Sequence, residues 1–422
     1  MNAFRQFRTV EPLKALCRTR IVASSTRHTQ QQLMAALRIN NAFLNRSRFM
    51  STSTSGTGSY IHLPTRGLLQ IHGKDASKFL QGLITNHMPR IENGGGGFLA
   101  AFLSPKGRVM YDVFIHPVNE AKDDSSSSND PAYLIECDAR ALPELHKHIA
   151  RFVLRSKVKM VGVTESFDVY SVLDDQPANN NNSETDEDAT VAPTNAEVME
   201  RLAKMNATIG MYDNRAVNLM GYRVIVPKGQ TLSLPENYRQ GTLEEYHVRR
   251  ITNGVPEGID DFIAGTSLPL ECNLDYMNGV DFRKGCYVGQ ELTIRTYHKG
   301  ITRKRIMPVQ YFTPQDPEPS SIQFNKSASH VIPPQSELFP TKKATPAPQQ
   351  AAASTSSARP VRASGKTGSN VGNIGLALVK LDHVKEGSTF DVMDREGATV
   401  RVKAFFPAWW PKQPESEEGG DE

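Results

Sequence analysis

The stretch Arg283-Lys284-Gly285-Cys286-Tyr287-Val288-Gly289-Gln290-Glu291 sets a thiol beside two cations and between two glycines. Cations next to a cysteine favour the thiolate, the form that attacks electrophiles and binds metals. Gly285 and Gly289 allow positive φ or close approach of a ligand. Gln290, Glu291 and then Arg295 add polar groups within reach of the same place. The chemistry on offer is nucleophilic attack or thiolate ligation. A tight turn around a buried, inert cysteine satisfies the same pattern, because free Cys is among the most buried residue types.

The other thiols narrow the choice. Cys17, Cys137 and Cys272 complete the set, and no two cysteines stand as Cys-x-x-Cys. That pattern argues against a disulfide framework and a self-contained zinc site. With Cys17 in a segment expected to be removed, the three that remain cannot supply the four thiolates of a typical iron–sulfur site.

That removable segment is the first 50 residues. They hold eight arginines, one lysine and a single acid, Glu11. Arg-rich, Ser-rich and acid-poor composition marks a mitochondrial transit peptide, with cleavage expected near Met50, where Arg48-Phe49 meets Ser51-Thr52-Ser53. Without residues 1–50, Lys+Arg falls from 49 to 40 and Asp+Glu from 45 to 44, a net charge near −4. That balance argues against a general nucleic-acid binder, which needs a basic face on the mature domain. No run approaches about 18 apolar residues, so no membrane span is expected.

Several elements must position the motif. Leu68–Ile71 reads as a strand, and Gly73 turns into a helix capped by Asp75 that carries Phe79, Leu80, Leu83 and Ile84 and stops near Asn86. Gly94–Gly97 reads as a flexible hairpin connection. Phe98–Leu103 and Arg108–Ile115 are strands joined by the turn Ser104-Pro105-Lys106-Gly107. Tyr133–Cys137 is a strand, and Pro143 opens a helix. Gln176–Thr194 is expected to be an unstructured acidic insert, with globular sequence resuming by Met211. Gly221–Val226 is a strand, and Thr242-Leu243-Glu244-Glu245 is a capping box that starts a helix. A Pro/Ser/Ala/Thr-rich tract from 313 to 369 has too few apolar residues to pack, and strands surround it. Alternating strands and helices without Gly-rich βα turns predict an α+β fold with antiparallel sheets.

Lys284-Gly285-Cys286-Tyr287-Val288-Gly289-Gln290-Glu291 resembles the signature of a folate-binding family related to the glycine-cleavage T-protein. Phe79-Leu80-Gln81-Gly82 with Thr85-Asn86, Ser104-Pro105-Lys106-Gly107-Arg108 with Asp112, Leu270-Glu271-Cys272-Asn273-Leu274-Asp275 and Trp409-Trp410-Pro411 are similar to further blocks of that family, in its order. Glu291 to Gly300, followed by Arg303-Lys304-Arg305, is especially similar to its mitochondrial branch, the iron–sulfur cluster assembly factors of late [4Fe–4S] maturation. The match covers most of residues 60–312 and 370–411.

The resemblance implies three lobes around a central folate-type hole: an α+β lobe over 51–165, a second over 166–300 with the cysteine motif, and a C-terminal β-barrel over 301–411. An acidic tail, 412–422, follows. It implies tetrahydrofolate as cofactor, with Glu271 at the T-protein's acidic pterin contact and Arg283, Tyr287, Gln290 and Arg295 as further binding candidates. Cys286, helped by Lys284, is either a reactive thiolate or one ligand of an iron–sulfur cluster shared with a partner; His298 is a weaker ligand candidate. The implied partners are A-type scaffold proteins and [4Fe–4S] clients of the aconitase and radical-SAM kinds, in the mitochondrial matrix. The T-protein's adjacent acidic pair reads Tyr111-Asp112 here, so half of its acid/base equipment is missing. A folate-dependent one-carbon transferase using Cys286, Glu271 and Asp112 is the alternative, and an interaction scaffold the third possibility.

Overall fold

The computed structural model describes residues 58–118, 130–174, 192–327, 330–341 and 362–411. The expected transit peptide with its cleavage point, the acidic tail and residues 119–129, 175–191, 328–329 and 342–361 lie outside them.

The chain runs through β1 (Gly58–His62), β2 (Arg66–His72), α1 (Ala76–Gln81), β3 (Phe98–Leu103), β4 (Val109–Pro117), β5 (Ala132–Asp138), α2 (Leu142–Val153) and β6 (Lys159–Gly162). Five of these strands form an antiparallel sheet in the order β3-β4-β5-β2-β6. All six residues of β3 are buried because alternate side chains feed different cores. Phe98, Ala100 and Phe102 face the helices, whereas Leu99, Ala101 and Leu103 face the second lobe. α1 ends at Gln81, short of the expected Asn86. The backbone is diverted toward β3, with Ile84 bridged to Phe102 and Thr85 N donating to Ala101 O at 3.0 Å, so Leu83 and Ile84 are buried outside any helix. Asp75 holds the N-cap position, but its carboxylate accepts from Lys157 N instead of its own helix.

β7 (Phe167–Asp174), α3 (Asn195–Lys204), β8 (Ile209–Tyr212), β9 (Tyr222–Pro227), β10 (Tyr238–Gln240) and α4 (Leu243–Thr252) build the second lobe. Its sheet has the order β10-β1-β7-β9-β8. β1, which the expected boundaries put in the first lobe, is thus a strand of the second, and it pairs in parallel with β10, an exception to the all-antiparallel expectation. The expected insert lies mostly outside the described residues, and globular structure resumes ahead of Met211, with α3 starting right after Thr194. Thr194 caps that helix in a full capping box with Glu197, and Val198 and Leu202 seat it. The capping box of Thr242 and Glu245 forms as expected.

A long connection leads to α5 (Gln290–Lys299), then β11 (Lys304–Phe312), β12 (Glu337–Pro340), β13 (Gly365–Val371), β14 (Ile374–Lys380), α6 (Leu381–Lys385), β15 (Thr389–Met393) and β16 (Thr399–Ala404). The strands close a barrel in the order β11-β14-β13-β12-β15-β16. β12 and the first residues of β13 lie inside the tract 313–369 that composition marks as unable to pack. A four-residue strand needs little apolar sequence: Leu338 of β12, with Ile332 before it, reaches the barrel core while β12 fills the gap between β13 and β15.

Candidate functional site

The cysteine loop is fastened to the first lobe, although it follows the second in sequence. Thr85 Oγ1 donates to Gly279 O at 2.6 Å, Asn86 Nδ2 to Asn278 O at 2.9 Å, Asp281 N to Thr85 O at 3.0 Å and Val288 N to Gly82 O at 3.0 Å. The β3–β4 turn closes through Gly107 N to Ser104 O at 2.8 Å, and it packs on the start of α5. Gly289, at φ 80°, is the N-cap of α5 and presses on Ser104 O, so a Cβ there has no room. Three of the short blocks singled out in the sequence, Phe79–Asn86, Ser104–Arg108 and the cysteine octapeptide, therefore meet at one corner.

On that corner Cys286 is exposed, whereas Cys137 and Cys272 are buried. Burial pushes the Cys137 thiol up to about 12 and that of Cys272 up as well. Lys284 points away from an exposed role. Its Nζ donates to Gln81 O, Ile84 O and Asn86 O at 2.8, 2.6 and 2.8 Å and lies 4.7 Å from the centre of the Tyr287 ring. Burial lowers its ammonium to about 8, and its place is a bolt between the loop and α1. Tyr287 is a core aromatic, buried under Lys284, and is no open platform for a pterin. Gln290 Oε1 accepts from Tyr287 N at 3.2 Å and so shapes the turn. Arg283, Arg295 and His298 are exposed. Gly285 has a negative φ, and a Cβ there meets nothing within 4 Å, so neither backbone strain nor packing demands glycine.

Glu271 lies elsewhere. It lines a cavity of about 370 Å³ between the 261–272 segment and the barrel, with Arg108, Cys272, Lys304, Ile306 and Lys366 among its walls. Burial raises the Glu271 carboxyl, partly offset by Lys304 and Arg108. Arg108, whose Nη1 donates to Thr266 O at 2.9 Å, follows the same turn that supports Gly289, so one hairpin serves both places. Sequence reading gave no role to Arg108 or Lys304. Their signal was a cation directly after a Pro-Lys-Gly turn and another at the start of a strand.

Asp112 belongs to a third environment, the buried space between the two sheets. There Glu136 takes Arg66 Nε at 2.7 Å and Arg223 Nη1 at 2.9 Å, while Glu257 takes Arg215 Nη1 at 2.8 Å, Arg223 Nη2 at 2.7 Å and the Tyr246 hydroxyl at 2.6 Å. Asp213 grips Arg215 through both oxygens. The Phe114 ring lies within 4.1 Å of the Arg223 guanidinium carbon. Burial pushes Glu136 up, but Arg223 and Arg66 reverse this and leave it at about 2. Asp112 accepts Gly258 N at 3.1 Å; burial outweighs Arg66 and that bond and raises it to about 6. The sequence carried a sign of this network in lone charges within apolar strands, Glu136 in β5 and Arg223 in β9.

Comparison with known proteins adds to this geometry. Residues 303–412 match the family model of the CAF17 C-terminal beta-barrel domain. The mitochondrial iron-sulfur cluster assembly factor IBA57 homolog of Mycosarcoma maydis is 34% identical over 380 residues, covering 85% of this chain and 86% of that one. The human mitochondrial IBA57 is 34% identical over 356 residues, covering 83% and 84%. The chain belongs to the IBA57 family of mitochondrial iron–sulfur cluster assembly factors. Like the IBA57 proteins it resembles, it is mitochondrial. A glycine cleavage aminomethyltransferase T from Bartonella henselae shares the fold, with a TM-score of 0.52 at 11% identity, covering 85% of this chain and 88% of that one. The expected T-protein-like architecture, two α+β lobes and a barrel, is thus present in this IBA57 family member. No helix among its described residues is long and apolar enough to cross a membrane.

Proposed function

We propose that the protein is a mitochondrial matrix factor for late maturation of [4Fe–4S] proteins, in which Cys286 is one ligand to a cluster shared with an A-type scaffold partner. The observation that carries this reading is the exposure of Cys286 on a corner braced by two glycine turns, while Cys137 and Cys272 are buried. One accessible thiolate cannot hold a cluster alone, but it can complete a set begun by a partner's cysteines. The cluster is cargo, and the exposed Arg283 and Arg295 offset its negative charge.

Tetrahydrofolate is the cofactor we assign to the Glu271 cavity. The residues fit: about 370 Å³ lies within the usual range of ligand pockets, and the half-buried carboxylate can accept from an aminopyrimidinone edge. Arg108 and Lys304 offer donors to the carbonyl or carboxylate groups of the same ligand. When bound, tetrahydrofolate supplies a reduced pterin able to carry one-carbon units. Arg283, Tyr287, Gln290 and Arg295 do not line this cavity, and Glu271 is the pterin candidate that does. Asp112 is not among its lining residues either, which weighs against one-carbon transfer assisted by that carboxylate.

The test is depletion of the protein and re-expression of wild type, Cys286→Ala or Glu271→Gln, with aconitase, a [2Fe–2S] enzyme and glycine cleavage assayed side by side. Selective loss of aconitase activity, unrescued by Cys286→Ala, is the expected result. Intact cluster enzymes beside a failed one-carbon reaction would remove the maturation reading. Calorimetric titration of tetrahydrofolate into wild type and Glu271→Gln checks the cavity separately.

A further inference from the structure

The turn that ends α2 carries a leucine where the backbone calls for glycine. Ser156 N donates to Val153 O at 2.7 Å, closing a β-turn, and Leu154 sits at φ 43° and ψ −103°. These are the angles of the first central position of a type II′ turn, where a Cβ is strained. Val217 adopts similar angles, φ 53° and ψ −118°, but it is half-buried, so packing offsets the strain. Leu154 is 88% exposed, and no packing among the described residues repays its conformation.

The surroundings are cationic. Arg151, one turn earlier on α2, and Arg155, Lys157 and Lys159 just after the turn are exposed. Lys157 N donates to Asp75 Oδ2 at 2.7 Å, which lays this loop against the β2–α1 turn and brings the exposed Lys74 and Lys78 alongside. Asp75 is the acid of that turn, and its carboxylate is engaged by the Lys157 backbone. Val161, also exposed, lies on β6, the outer strand of the sheet. Beyond residue 50 the chain is net negative, so a corner with six cations runs against the sign of the whole.

We propose that this corner docks on an anionic lipid surface, with Leu154 entering the boundary between headgroups and acyl chains and the six cations meeting the headgroup phosphates. One apolar side chain projecting from a tight turn among cations suits a lipid boundary. A specific protein interface asks for a broader apolar centre.

The test is co-sedimentation with phosphatidylcholine vesicles, with and without phosphatidylglycerol. The full chain and the chain lacking residues 1–50 are compared, so that the basic leader is accounted for. Binding is expected only with phosphatidylglycerol and should fall steeply with salt. Leu154→Gly should weaken it about tenfold while raising the melting temperature, because glycine relieves the strained turn. The pair Lys157→Glu and Lys159→Glu should abolish binding with the fold retained. Equal binding to neutral vesicles, or binding unchanged in both variants, would overturn the proposal. So would retention by soluble polyglutamate without vesicle binding, an outcome that points to an acidic protein instead.

Discussion

Gly107 and Gly289 lie back to back: a Cβ built on Gly107 comes within 2.9 Å of Gly289 O, and one built on Gly289 stands 3.2 Å from Gly107 Cα. Both residues have positive φ, 76° and 80°. The β3–β4 turn and the cysteine loop can be this close only because neither carries a side chain at the contact. Gly289→Ala combines an unfavourable φ with a backbone clash, so a loss of about 2–4 kcal/mol is expected in urea denaturation. Gly285→Ala, in open space, should change stability by no more than about 0.5 kcal/mol. A drop in aconitase maturation with Gly285→Ala at unchanged stability would mark the surface over Gly285 as the place where a partner approaches.

Thiol labelling separates the cysteines by exposure. Cys286 should react with iodoacetamide in the folded protein, and Cys137 and Cys272 only after denaturation, since both are buried and burial raises both thiols. Mass spectrometry of the labelled peptides reads the result. Native labelling of Cys272 would mean that the Glu271 cavity opens to solvent.

Lys284→Met tests the bolt between loop and helix. Three buried carbonyls would lose their donor, and about 2–4 kcal/mol of stability should go with it. Cys286 labelling in native buffer should rise only as far as the loop loosens, which distinguishes a structural lysine from one that activates the thiol.

The buried network gives a pH dependence with two opposed parts. Asp112, raised to about 6, holds its proton more firmly in the folded chain. That contribution is complete below the unfolded value of 3.8 and is lost as pH rises through about 6, on the order of 3 kcal/mol. Glu136, lowered to about 2, acts the other way: its contribution is present above 4.5 and is lost as pH falls toward 2. Asp112→Asn should therefore raise stability at pH 8 and flatten the profile between pH 4 and 6. Denaturant melts at pH 5 and 8 decide this, and strong destabilisation at pH 8 would show that the network depends on the ionised carboxylate.

Arg223→Met removes the cation shared by Glu136 and Glu257, leaving buried carboxylates short of partners. A loss of about 3–5 kcal/mol is expected by calorimetry. The sheets are joined through this residue, so the transition should also broaden if the lobes separate before they melt.

Local rules were legible in the chain itself. The capping box at Thr242, the Pro-x-Gly turn at Ser104–Gly107, Pro143 at a helix start and the alternating strands all depend on residues within a few positions of one another, and they formed as read. α3 was legible too, through Thr194 and Glu197, but the acidic composition just before it hid the cap. Within the octapeptide around Cys286, Gly289 answers to a fixed turn, a local demand that the sequence shows.

Only the tertiary structure decided what each motif residue does. Lys284 looks like a partner of the adjacent thiol, yet a side chain of four methylenes reaches past its neighbour to three carbonyls 198–203 positions away. Glu271, Asp112 and Cys286 look like one site, but the fold gives them a cavity, a buried ion network and an exposed corner. Contacts between residues this far apart along the chain depend on how the sheets and the barrel pack. No local periodicity encodes that packing, so sequence specified the parts and three-dimensional closure assigned their roles.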